Sequence, residues 1–331
     1  MTASAIDAGR LLASLDEQWR AIGKNEGGVL RASSMTLAVL AGAGRGAQEL
    51  GSTIAELMHE HPSRTIVLRV RDGDEPLEAR TSMQCWMPFG RRQQICCEQI
   101  ELGVGAGSLE GVPPVLFGLT VADLPVVFWC ADLPLALRPE LRAVLNLAGK
   151  VIVDTAPLES ARASWTSISA LLGERFLLAD LVWARVTRWR ELLFNALGPV
   201  LPRKPERARI SWAGTAPPAA AMYLGAWLVS TFGWQGEAAK RLEFACEDPA
   251  PPPPGQGRLR LLTLEGKGCS LRLRRAAGSG VSIEVDGVQA EARFPVLTDS
   301  ALLREELAIL GRDRWFDAAV SACPEILEVL G

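Results

Sequence analysis

The stretch TLAVLAGAGRGAQEL, residues 36–50, puts Gly42, Gly44 and Ala47 in the spacing G-x-G-x-x-A between an apolar run and a helix-like run. Glycines in that pattern let a backbone approach a pyrophosphate whose charge rests on the following helix N-terminus. Gly42, Gly44 and Gly46 would then form a cofactor loop. A dinucleotide site also asks for an acidic residue about 20 positions further on, at the end of the next strand. Asp72 is the nearest, late and preceded by Arg71. The competing reading is a strand-to-helix turn in which glycine supplies positive φ. His61, Ser63 and Arg64, in HEHPSR, read as an anion-binding set or as a helix end followed by a strand. Glu98, Asp123, Asp132 and Asp154 fall at or near strand ends, where open α/β sheets hold ligands. With Arg64 and Arg190 they outline a sugar-phosphate pocket, or they cap helices and fix loops. In DLVWARVTRWRELL, residues 180–193, Trp183, Arg185 and Arg190 are types favoured at interface hot spots, or the tryptophans fill the core and the arginines form solvated ion pairs with Glu191 or the sheet end.

Several familiar chemistries lack their residues. G-x-S-x-G, G-x-x-x-x-G-K-[ST] and H-E-x-x-H do not occur. The two histidines, His59 and His61, sit beside one helix end, and the seven cysteines contain no C-x-x-C. No metal site is expected from such a set. Cys85, Cys96, Cys97, Cys130, Cys246, Cys269 and Cys323 lie mostly in apolar strand-like runs, the pattern of reduced core thiols in a cytoplasmic protein.

The elements that must position these residues follow from periodicity. Residues 6–23 repeat Leu11, Leu12, Leu15, Trp19 and Ile22 on one side, as an amphipathic helix does. Strands are expected at 35–41 and 65–70 with a helix over 48–61 between them, and a strand pair at 77–86 and 94–102. LPVVFWC and KVIVDT are apolar β-branched runs, as in strands buried on both faces. Strand and helix alternate through the first 200 residues, which implies a mostly parallel α/β sheet domain. In the 180–193 helix, Asp180 is the cap and Val182, Val186, Trp189 and Leu193 form the core stripe. GPVLPRKPERAR, residues 198–209, is rich in proline and charge and marks a linker. Residues 207–331 read as a smaller α+β domain: strand, apolar helix at 219–232, an antiparallel meander between 258 and 294 punctuated by glycine, and two closing helices.

Bulk properties narrow the class. The 331 residues are 48% hydrophobic and 22% charged with net charge −3, the composition of a globular protein. The balance gives no support to nucleic-acid binding. Charges at Asp7, Arg10, Asp16 and Glu17 interrupt any secretory apolar core. The charge-free run 210–236 is broken by Pro217 and Pro218 and reads as strand, turn and core helix rather than a membrane span.

Five segments together resemble one family, OpcA, the glucose-6-phosphate dehydrogenase assembly proteins. HPSRTIVLRV, CCEQIEL, LTVADLPVVFWCADLP, VIVDT and DLVWARVTRWRELL match its signatures in order and spacing between residues 61 and 193. The tryptophan-arginine helix is the most specific of them. The glycine loop is no motif of that family, so the chain departs from the pattern there. The resemblance implies a non-catalytic partner, without cofactor or metal, that binds glucose-6-phosphate dehydrogenase and promotes its assembly or activity in the oxidative pentose phosphate pathway. It also implies thiol control in photosynthetic members, for which this chain offers only Cys323 near its end. Two other classes stay open: a sugar-phosphate isomerase- or lactonase-like enzyme using the strand-end carboxylates, and a nucleotide-binding oxidoreductase using residues 42–47.

Overall fold

Eight strands make the first sheet: β1 (Val29–Arg31), β2 (Met35–Gly42), β3 (Ser63–Arg71), β4 (Glu78–Trp86), β5 (Gln94–Gly105), β6 (Val126–Cys130), β7 (Lys150–Val153) and β8 (Leu177–Asp180). The computed structural model describes residues 6–25, 29–88, 90, 93–198, 205–253, 257–276, 278–309 and 311–331. Strand order is β1-β5-β3-β2-β6-β7-β8, with β4 antiparallel on β5. Pairings from β1 through β7 along that path are parallel. All eight residues of β2 are buried, as expected where helices cover both faces of a parallel sheet.

The second sheet holds β9 (Pro205–Ala213), β10 (Leu242–Asp248), β11 (Leu259–Gly266), β12 (Cys269–Arg275), β13 (Gly280–Val285) and β14 (Val288–Arg293), in the order β10-β9-β11-β12-β13-β14. β9 and β10 are parallel and the rest antiparallel, so the expected meander is present with one parallel strand added at its edge. Helix Ala219–Phe232 is buried on nearly every side and packs on helix Arg314–Leu330. A helix apolar all round belongs inside a core. Among the described residues, no helix is long and apolar enough to cross a membrane.

By packing, the chain divides into Met1–Asp154 with Leu171–Ala179, and Thr155–Ala170 with Asp180–Gly331. Helix Thr187–Leu197 therefore packs in the second unit. Of the stretch expected as a linker, residues 199–204 lie outside the described residues, and Pro205 already begins β9.

Two local expectations are corrected. The tryptophan helix is two helices, Leu181–Arg185 and Thr187–Leu197, separated at Val186 with φ −88° and ψ −3°. The Trp183 carbonyl there accepts from Val186 N and from Arg190 Nη2, so a side chain takes part of the backbone's bonding. Cys85 and Cys96, expected as thiols, are joined in a disulfide. They are directly opposed in the antiparallel β4–β5 register, with Cα atoms 4.1 Å apart.

Candidate functional site

The glycine loop lies where a dinucleotide would be held. β2 has β3 on one side and β6 on the other, so strand order reverses between β2 and β6. Open α/β sheets take ligands outside the carboxyl ends at such a point. Gly42 ends β2, and helix Ala47–Met58 starts from Gly46. The crevice, however, contains a carboxylate. Asp132, just past β6, presses its side chain on Gly42 so closely that a methyl group there would overlap Oδ2. The close approach of this side chain is one requirement that glycine at position 42 meets. Arg45 donates to the Ala131 carbonyl and pairs with Glu49, which adds a second negative charge in the first helical turn.

HEHPSR does not form an anion cradle. Ser63 is fully buried and shares a hydrogen bond with Thr65. Arg64 is buried too, and its Nε donates to Glu98 Oε2 at 2.6 Å while Nη1 donates to the Leu119 carbonyl. Glu98 Oε1 accepts from Trp19 Nε1 at 2.7 Å and pairs with Arg31. One buried carboxylate thus meets two guanidiniums and an indole. His61 stays half-buried at the end of helix Ala47–Met58, and its backbone N–H bonds the Leu57 carbonyl. Trp19 and Arg31 are the members of this cluster that sequence reasoning missed.

The four strand-end carboxylates do not converge. Arg64 is the second residue of β3, and Glu98 pairs across β4–β5 near the same level, toward the amino ends of the parallel strands. Asp123 precedes β6 in an exposed turn with φ +65°. Asp132 and Asp154 follow β6 and β7, at the carboxyl ends. The set is split between opposite ends of the sheet.

In the second unit, Asp180 caps helix Leu181–Arg185 through Val182 N, as expected. It is wholly buried and also accepts from Thr155 N, Thr155 Oγ1 and the Tyr223 hydroxyl. Burial holds the Tyr223 phenol well above its ordinary pKa, so it stays a donor. Tyr223 is the chain's single tyrosine, set in the apolar run AAAMYLGAWLVSTF. A hydroxyl in such a run must find a buried acceptor, and that signal was available. Val182, Val186, Trp189 and Leu193 are all buried, as the stripe requires. Trp183 is buried as well, and its Nε1 donates to Asp313 Oδ2 at 2.8 Å. The Arg190 guanidinium carbon lies 3.5 Å from the Trp183 ring centroid, and Nη2 donates to Thr187 Oγ1. Burial lowers the Arg190 pKa to about 10, with Asp313 and Glu306 acting in the opposite direction. Arg185 stands 3.9 Å from Asp299, and Arg188 pairs with Glu191 and Glu305. Phe194, on the same helix as Trp189, is 66% exposed. Among the described residues, no group of three His, Cys, Asp or Glu is placed to hold a metal ion.

Two family models match the chain in succession. One, described as the N-terminal domain of the glucose-6-phosphate dehydrogenase subunit, covers residues 54–170. The other, described as the C-terminal domain of the same subunit, covers residues 177–320. The chain belongs to the OpcA family. A Nostoc punctiforme protein, whose name assigns it provisionally to the OxPP cycle as OpcA, is 28% identical over 188 residues. That match takes in 54% of this chain and 40% of the Nostoc protein, so the chain spans well under two thirds of its relative's length. Among solved structures, a 3-ketoreductase from Actinomadura kijaniata with NADP and TDP-benzene is 12% identical, with TM-score 0.48 over 90% of this chain and 97% of that one. A biliverdin reductase from Synechocystis with biliverdin and NADP+ is 13% identical, with TM-score 0.44 over 90% and 98%. Likenesses of that size leave the reading of this OpcA member to its own residues.

Proposed function

We propose that this chain is a non-catalytic subunit that associates with glucose-6-phosphate dehydrogenase in the cytoplasm and promotes its assembly or activity in the oxidative pentose phosphate pathway. The observation that carries this reading is the succession of the two family domains along the chain, N-terminal then C-terminal. Two buried carboxylates support it. Glu98 is occupied by Trp19, Arg31 and Arg64, and Asp180 by Thr155, Val182 and Tyr223. A general base needs an acceptor facing substrate, and these face other protein groups. For the docking face we put forward the exposed side of helix Thr187–Leu197 with Arg185. Phe194 there offers apolar area and Arg185 a planar donor, the kinds of group that anchor interfaces. Trp183 and Arg190 would shape that face from beneath.

The test titrates this protein into glucose-6-phosphate dehydrogenase from the same source, following enzyme rate and complex mass together. Saturable change in rate or oligomer with a defined complex is expected, weakened at least tenfold by Phe194→Asp. No complex and no change in rate at micromolar concentrations would overturn the reading.

A further inference from the structure

The second unit contains a cavity of about 310 Å³ between helices Leu181–Arg185 and Thr187–Leu197, the start of β11, the end of β12 and the segment after β14. Its size is at the lower end for small-molecule sites. Its lining includes the apolar side chains of Val186, Trp189, Phe294 and Leu297. It also includes four arginines, Arg185, Arg188, Arg258 and Arg275.

Two of those arginines have carboxylates of their own. Arg185 faces Asp299, and Arg188 holds Glu191 and Glu305. The other two do not. Arg258 bonds only carbonyl oxygens, those of Glu159, Ala213 and Ala216. Arg275 is half-buried, its Nε is enclosed without an acceptor, and its guanidinium lies 5.5 Å from the Phe294 ring centroid. Among the described residues, neither cation meets a carboxylate. Burial lowers the pKa of both, and Arg260 adds to the effect on Arg275. Two partly desolvated positive charges that line a cavity without a carboxylate partner lose some hydration that an empty protein does not replace. A ligand that brings two negative charges and planar acceptors would make good that loss, and guanidinium forks suit phosphate oxygens.

We propose that this cavity binds a small phosphomonoester, its dianion between Arg258 and Arg275 and its carbon skeleton against Trp189, Phe294 and Leu297. The site is independent of the dehydrogenase-partner reading. It lies within one unit and needs no partner, and its failure would leave that reading untouched.

The probes are inorganic phosphate, phenyl phosphate and phenol, each titrated calorimetrically into the full chain. Phenyl phosphate should bind at least tenfold more tightly than inorganic phosphate, and phenol should not bind measurably. Arg275→Gln should lower phenyl phosphate affinity at least tenfold while raising the melting temperature of the unliganded protein, because it removes a half-buried charge that has no carboxylate partner among the described residues. A merely structural arginine would give a lower melting temperature instead. Leu297→Trp fills the cavity from an apolar lining position, keeps every charge and should also abolish phenyl phosphate binding. The proposal is overturned if neither phosphate probe binds at millimolar concentration. It is equally overturned if both variants bind phenyl phosphate as the parent does.

Discussion

The Asp132 carboxylate lies against Gly42 at the end of β2, in the space that any larger residue at position 42 would occupy. The contact couples the two positions. Gly42→Ala should destabilise the protein by about 1 kcal/mol, the low end of the cost of forcing a group into filled space, because what must yield is the end of a half-buried side chain. In an Asp132→Ala background the added methyl has room, so the cost should fall by at least half. Urea unfolding of the four proteins in the cycle measures the coupling. Additive effects would show that Gly42 is required for some other reason, with close approach of a ligand the first to consider.

The Arg64–Glu98 pair leads to a second expectation. Both side chains are buried, and Glu98 also takes bonds from Trp19 and Arg31. Removing one partner of a buried pair leaves an uncompensated charge, at about 3–5 kcal/mol. Glu98→Ala should therefore destabilise the protein by about 3 kcal/mol or more, read from urea midpoints. Glu98→Ala with Arg64→Met should recover part of that loss, since no buried charge is then stranded. A stable Glu98→Ala protein would contradict the bonding described.

The Cys85–Cys96 disulfide predicts a labelling pattern. Denatured without reductant, the protein should react with alkylating agent at the five other cysteines, and after reduction at all seven. Its sequence separation of 11 closes a short loop, for which the chain-entropy account gives about 2–3 kcal/mol. Reduction should lower stability by about that amount without unpairing β4 from β5, because their ladder extends over nine residue pairs. Seven alkylated cysteines without reductant would rule the bond out.

The disulfide also shows where the sequence stops being informative. Burial on both faces made β2 and β6 legible as continuous apolar runs, and alternation made β12 legible, with Cys269, Leu271 and Leu273 buried between exposed neighbours. The 182–186–189–193 stripe was legible for the same reason, since its period is local. Pairings over long separations were not. The β4–β5 strand pair was expected, but not the register that sets Cys85 opposite Cys96. Arg64 reaches Glu98 across 34 positions, and Trp183 reaches Asp313 across 130. The sequence left Trp183 open between an interface and the core, and a hydrogen bond to the far end of the chain goes with the second. The carboxylates were expected at strand ends, but which end each occupies depends on sheet order, and that separated Glu98 and Asp123 from Asp132 and Asp154.

Cys97 gives a pH dependence with a defined sign. Burial raises its thiol pKa from 9.0 to about 11, and the neighbouring Glu98 carboxylate acts in the same direction. Between those values the unfolded chain releases the proton and the folded protein keeps it. The folded state then binds more protons, so stability falls as pH rises through the window. Burial shifts Cys130 and Cys323 in the same direction, and they add to the slope. Below pH 9 the contribution is fully present. Urea midpoints taken from pH 8 to 10.5 should decline for the parent protein and decline less for Cys97→Ala, with a difference on the order of 1–2 kcal/mol by the top of the range. Parallel declines would mean that the Cys97 thiol titrates as it does in the unfolded chain, and that the bond it donates to the Ala32 carbonyl does not keep it protonated.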